Sequence, residues 1–272
     1  MNRPLIRNSV AALLLLAPLC GCASSLQALR APKRYQYGLV VVLPGIEGPS
    51  KWNRQLARGL DTGGVTSAIE IWDWTIAGAG TMIANQVNLK RNRDEAQRLA
   101  DHIVAYQRKH PDAPVHLLGH SGGAGVAVFA LEALPGEYPV EMAMLLAPAL
   151  SPDYRLTDAL AHTRRGICAF YSEEDVTLLR VGTTLFGSID RDHGAAAGAV
   201  GFNIPEDATA EELALYDARF RQVRWSEQFE QRYGADGTHL GWTNPEFARR
   251  YLAPIIQEHE ARYSVHRAVG EQ

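Results

Sequence analysis

Gly119-His120-Ser121-Gly122-Gly123 stands between two stretches of opposite character. Before it, Pro114-Val115-His116-Leu117-Leu118 is short, apolar and bounded by a proline, the pattern of a buried strand. After it, Ala124 to Leu134 is long and apolar enough for a core helix. The pentapeptide alone is short enough to arise by chance, so its flanks carry the reading. Strand, glycine-flanked turn and helix is the setting in which a G-x-S-x-G serine acts as a nucleophile. The serine must hold a strained backbone conformation. Side chains two residues to either side would collide with the adjoining strand and helix. The positive end of the following helix then lies beside the serine, where it favours a developing negative charge. A tight strand-to-helix turn with a buried serine is the plainer alternative.

Outward from this turn, apolar and amphipathic runs alternate. Tyr37 to Leu43 reads as a continuous apolar strand leading into Pro44-Gly45-Ile46-Glu47-Gly48 and a helix from about Pro49 to Leu60. Ala68 to Trp72 is a second strand, followed by Asp73-Trp74. Asn92 to Lys109 places Ala96, Leu99, Ile103 and Tyr106 at helical spacing. Beyond the turn come a strand over Val140 to Leu146, a short helix over Asp153 to Ala161 and a strand over Gly166 to Tyr171. The last strand is expected over Gln222 to Trp225. Asn244 or Thr243 caps a terminal helix with Pro245 at its first position, running to about Gln257. Apolar strands alternating with helices specify an α/β fold, a mainly parallel sheet covered on both faces.

The first 21 residues read as an address. Arg3 and Arg7 precede the apolar stretch Ala11 to Leu19, which contains Pro18 and is too short to span a bilayer. Leu19-Cys20-Gly21-Cys22 resembles the bacterial lipobox, which implies cleavage before Cys22 and diacylglycerol on its sulfur. An ordinary cleaved signal peptide is the alternative. Ala23 after the lipidated position, where Asp would imply retention, implies transfer to the outer membrane of a Gram-negative cell. The chain then divides into a signal over 1–21, a lipidated tether over 22–36, one domain over 37–258 and a tail over 259–272. Cys168, in an apolar run, is expected to be a small core residue. No cofactor or metal is expected, and no Cys/His spacing suggests one. The whole chain carries −3; removing 1–21 takes two arginines and no acid and leaves −5, so no basic surface points to nucleic acid. Oligomeric state is not readable.

The order of elements around Ser121 resembles the α/β-hydrolase family, over about residues 37 to 258. That resemblance implies a serine, acid, histidine order along the chain and a site at the carboxyl ends of the strands. The acid belongs just after a late strand, where Ser172-Glu173-Glu174-Asp175-Val176 offers Asp175 first and Glu174 second; Asp153 occupies a known variant position. The base belongs between the last strand and the terminal helix, where His239 lies in a glycine-rich loop. His193 comes too early, and His259 and His266 are expected to be solvent-exposed. His120 is expected to support the turn. An oxyanion hole is implied from the backbone N–H groups of Gly122 and Ile46, although Pro44-Gly45 replaces the His-Gly of many relatives and a structural turn competes. Residues 176–221, rich in Gly and Ala over 182–202, form either a small cap or a close-packed excursion. Trp72, Trp74 and Trp242 line an acyl pocket or are plain core. The expected activity is cleavage of a small-molecule or lipid acyl ester through an acyl-enzyme, at the cell envelope. A thioesterase, amidase or peptidase, or acyltransferase would use the same triad, and a non-catalytic binding protein would not need it.

Overall fold

The computed structural model describes residues 26–76, 80–175, 188–190 and 194–270. The signal stretch, Cys22, His193 and 176–187 of the possible cap lie outside the described residues. Strands β1 (Leu39–Leu43), β2 (Ala68–Ile71), β3 (Val115–His120), β4 (Met142–Leu146), β5 (Ile167–Tyr171) and β6 (Phe220–Arg224) pair in parallel, in the order β2-β1-β3-β4-β5-β6. β1 is Leu-Val-Val-Val-Leu and buried throughout, as a strand covered on both faces must be.

Alternate residues of the strands feed two cores. Leu39, Val41, Leu43, Leu117 and Leu145 point to one face, where they meet helices α4 (Leu89–Lys109) and α5 (Gly122–Ala133). Val40, Val42, Leu118, Met144, Leu146 and Phe170 point to the other. There they meet α2 (Lys51–Thr62) and the terminal helices α10 (Pro245–Phe247) and α11 (Ala253–Gly270), joined by a π-helical turn over Ala248–Leu252. Local chemistry sets the helix starts. Ser50 caps α2 in a reciprocal box with Asn53, and Asn244 accepts from the Glu246 N–H at 2.8 Å with Pro245 at the first turn of α10.

Four further helices were not legible as periodic patterns: α3 (Met82–Val87), α7 (Ala197–Val200), α8 (Ala210–Arg219) and α9 (Glu227–Tyr233). α8 is the crossover between β5 and β6. Its Tyr216 is buried, and the hydroxyl accepts the Leu156 N–H at 2.7 Å beside the short helix α6 (Thr157–Ala161). The Gly/Ala segment is tied down by its backbone: Ile189 donates to Ala149, Ala197 to Leu150 and Gly198 to Pro148. Its described part is therefore close-packed against the loop after β4.

Both chain ends differ from expectation. The tether contributes a short helix, α1 (Leu26–Leu29), whose Leu29 is buried, and Arg34 forms a 2.6 Å ion pair with Asp61. The tail is no tail: α11 continues to Gly270, and Glu260 is buried. The Glu260 carboxylate accepts four donors, the N–H and hydroxyl of both Thr66 and Ser67. His259, expected in solvent, is buried against His116, with its Nδ1 2.9 Å from His116 Nε2 and the two rings nearly coplanar. Cys168 is buried, and that burial pushes its thiol up to about 12. No described helix is long and apolar enough to cross a membrane.

Chain direction across the sheet reverses between β1 and β3. β2 lies to one side of β1, and β3 with everything after it to the other. The loops leaving β1 and β3 therefore diverge and open a crevice at the carboxyl ends of these two strands. The loop 44–48 and Ser121 stand at that crevice. A parallel sheet of this order with a sharp strand-to-helix turn after β3 is the α/β-hydrolase fold.

Candidate active site

Ser121 sits at φ 54°, ψ −121°, a conformation that L residues other than glycine adopt only under constraint. The constraint comes from both sides. The Ser121 N–H donates to Leu146 O at 2.9 Å, and its C=O accepts from Ala124 and Ala149. The turn fits only because of what its glycines lack. A Cβ on Gly119 would lie 2.5 Å from Ala124 Cα, and one on Gly123 would lie 2.3 Å from Pro44 O and 2.5 Å from Leu43 O. The first glycine lets helix α5 fold back on its own strand; the second lets it press against the end of β1.

The same bonds aim two N–H groups. The Ser121 carbonyl is engaged, so the planar peptide turns the Gly122 N–H the opposite way. The Gly45 carbonyl accepts from the Gly48 N–H at 3.0 Å, which likewise turns the Ile46 N–H outward. Among the described residues neither N–H has an acceptor. The two segments touch: a Cβ on Gly122 would stand 2.9 Å from Ile46 Cγ2.

Trp74, expected as pocket lining or plain core, and Asn85, which nothing in the sequence singled out, hold the Ile46 loop in place. Trp74 is fully buried, and its indole N–H donates to Pro44 O at 2.8 Å. Asn85, on α3, donates to Ile46 O at 2.9 Å and accepts from the Ile76 N–H at 2.8 Å. Trp74 therefore braces the loop. Trp242 packs with Phe170, Phe229 and Phe247 as plain core, and Trp72 lies against His102 with the two rings tilted. No local pattern around Asn85 signals its contacts, which join positions 39 residues apart.

Asp175 and His239 meet although 64 residues separate them: Asp175 Oδ2 and His239 Nδ1 are 2.7 Å apart. After β5 the chain turns on Ser172, whose carbonyl accepts the Asp175 N–H and whose hydroxyl accepts the Glu174 N–H. That turn brings Asp175 into a nearly water-free position and leaves its neighbours outside. Glu173 pairs with Arg224 at 2.5 Å, Glu174 is exposed, and Asp153 accepts from Asn203 on the surface.

His239 arrives on a loop that is itself braced. The Trp225 indole donates to Ala235 O, and Asp236 accepts from both the N–H and the hydroxyl of Thr238. His120, next to the serine, completes the brace: its Nε2–H donates to His239 O at 2.9 Å, and the two ring centroids are 4.8 Å apart. A carbonyl only accepts, so the His120 proton resides on Nε2. Full burial, with His239 nearby, pushes the pKa of His120 down to about 3, so it stays a neutral strut. With Nδ1 given to Asp175, Nε2 is the His239 nitrogen left to face a reactant. Among the described residues no hydrogen bond joins it to Ser121 Oγ. The arrangement thus holds a strained hydroxyl, a carboxylate-anchored imidazole and two unengaged N–H groups at one end of the sheet. No cluster of His, Cys, Asp or Glu suited to a metal occurs among the described residues.

No family model matches the chain, and neither does any curated protein. Solved structures similar to it are α/β hydrolases. One is a dienelactone hydrolase-like promiscuous phosphotriesterase from metagenomic libraries, with 16% identity, a TM-score of 0.48 and coverage of 81% of this chain and 86% of that one. Another is an α/β serine hydrolase without a lid from Xanthomonas campestris, with 14% identity, a TM-score of 0.45 and 82% of both chains covered. A third is a thioesterase of the prodiginine pathway of Streptomyces coelicolor, with 14% identity, a TM-score of 0.42 and coverage of 82% and 85%. These are likenesses of architecture, and no residue role is taken from them.

Proposed function

We propose that this chain is a serine hydrolase that cleaves carboxylic esters through an acyl-enzyme. The observation that carries the reading is the Asp175–His239 pair, braced through His120 against the turn that strains Ser121. In the proposed cycle His239 Nε2 takes the Ser121 proton as Oγ bonds to the ester carbonyl carbon. The carbonyl oxygen becomes an oxyanion and accepts from the N–H groups of Ile46 and Gly122. The imidazolium, stabilised by Asp175, returns the proton to the departing alkoxide as its C–O bond breaks. Water then repeats the exchange: its proton passes to His239, its oxygen bonds to the acyl carbon, and Ser121 leaves with the proton as the acid is released.

A fluorophosphonate probe tests the reading directly. Ser121 becomes labelled, and Ser121→Ala abolishes labelling and lowers kcat by about 10⁴-fold while the protein still folds. Full activity in that variant refutes it. Parallel ester, thioester and amide panels rank the competing acyl chemistries. We also propose that Cys22 carries lipid and anchors the enzyme at the cell envelope, in the outer membrane facing the periplasm. Labelled palmitate should then enter the wild-type protein and not Cys22→Ser; equal incorporation in both refutes the anchor.

A further inference from the structure

The loop that carries Ile46 also carries a carboxylate into the catalytic crevice. A Cβ on Gly45 would stand 2.3 Å from Glu47 Oε2 on one side and 3.4 Å from Ser121 Cβ on the other. Those two lengths bound the separation of the Glu47 carboxylate and Ser121 Cβ at less than about 6 Å. Glu47 is exposed as a residue, yet its carboxylate folds back along the loop, with the Ser50 hydroxyl 3.4 Å from Oε1. Loss of water around the carboxylate raises its pKa; its own N–H, His239 and Ser50 oppose that rise. Among the described residues no lysine or arginine pairs with it.

A negative charge this close to the serine, with no lysine or arginine to neutralise it, repels the oxyanion that the proposed reaction must form. The repulsion is offset when the bound substrate brings a positive charge, and a negative charge on the substrate adds to it. We propose that Glu47 is a specificity-determining residue that selects esters carrying a cationic nitrogen and rejects those carrying a carboxylate. This rests on the serine-hydrolase reading above. A substrate charge brought within about 6 Å of this carboxylate, with the partial screening of a site open to water, amounts to roughly tenfold in kcat/KM, and the effect shrinks as salt is added.

The test compares five esters at pH 8. Two form a pair with trimethylammonium or its neutral tert-butyl isostere on the alcohol. Two form a pair with an ammonium or a methyl group on the acyl chain. The fifth is a hemisuccinate. In the wild-type protein at least one cationic ester should exceed its neutral partner by about tenfold in kcat/KM, and the hemisuccinate should fall about tenfold below. Glu47→Gln should bring both ratios toward unity, and Glu47→Asp should keep their sign. A merely structural role for Glu47 would move all five esters together. Which pair responds tells whether the cation belongs to the alcohol or the acyl group. The wild-type ratios should also contract between 20 and 500 mM salt, a readout that survives if the glutamine variant does not fold. Charge-independent turnover by unlabelled wild-type enzyme, a separate sample of which takes up the probe, overturns the Glu47 proposal alone, as do ratios unchanged in Glu47→Gln. Absence of both labelling and turnover overturns the hydrolase reading and this inference with it.

Discussion

Gly123→Ala places one methyl group where the turn meets the loop that carries Ile46, and the structure fixes what must follow. The new Cβ would stand 2.3 Å from Pro44 O and 2.5 Å from Leu43 O. Ordinary contact needs about 1 Å more. Neither partner is a flexible side-chain tip: Leu43 ends strand β1, which is paired on both sides, and Pro44 follows it with its carbonyl held by the Trp74 indole. Overpacking of this kind costs about 1–3 kcal/mol. Removing a glycine from the unfolded chain returns about 0.4–1 kcal/mol. The net loss is then at most about 2.6 kcal/mol and centred near 1.3 kcal/mol, or a fall in Tm of roughly 3–5 °C for a domain of this length. The larger effect is on rate. Pro44 precedes Gly45-Ile46, so a shift of about 1 Å there displaces the Ile46 N–H, and kcat should fall about 10²-fold. Thermal denaturation, ester kinetics and the rate of fluorophosphonate labelling measure the three consequences. Gly136→Ala is the control, since nothing lies within 4 Å of its Cβ position. If Gly123→Ala keeps both Tm and kcat of the wild type, the turn and the loop do not bear on each other as described.

Asp175→Asn should lower kcat about 10⁴-fold by losing the carboxylate that orients His239, whereas Glu174→Gln should stay within about twofold; equal losses would reverse the assignment of the acid. Asn85→Ala strands the Ile46 carbonyl and the Ile76 N–H, so kcat should fall about 10–100-fold with KM little changed, and an unaltered kcat would free the loop from this brace. Glu260→Ala removes the acceptor of four donors and should destabilise the fold by about 3 kcal/mol in urea titrations; a loss below about 0.5 kcal/mol would mean that α11 docks without it. Burial holds His116 and His120 down at about 3, so below the unfolded value of about 6.5 only the unfolded chain takes up their protons. Stability should therefore fall as pH drops from about 6.5 toward 3, by roughly 2 kcal/mol per histidine at pH 5. A urea midpoint unchanged between pH 7 and pH 5 would contradict their burial.

How much was legible can be judged from particular segments. Val40 to Leu43 and Leu117-Leu118 read as strands because nothing in them could face water. α4 read as a helix because Ala96, Leu99 and Ile103 repeat at its period. The helix α8 was missed because only Tyr216 of its ten residues is buried, so it carries no apolar stripe to read. His259 was misjudged for the opposite reason. Its charged neighbours in sequence suggested water, but a hydrogen-bonded partner from β3, His116, 143 residues away, covers it.

The sequence by itself determined the alternation of strand and helix, the turn at Ser121 and the neighbourhoods in which an acid and a base would fall. Each of these rests on the steric and apolar pattern of a few consecutive residues, which travels with the chain. Tertiary structure alone decided that Asp175 rather than Glu174 reaches His239, that His120 braces the histidine loop, and that Glu47 stands beside the serine. It also decided that the last helix is bound through Glu260. Those outcomes depend on which loops the strand order β2-β1-β3-β4-β5-β6 brings to the same end of the sheet. A hydrogen bond formed across such a distance is sensitive to shifts of an ångström, and no run of neighbouring residues encodes that.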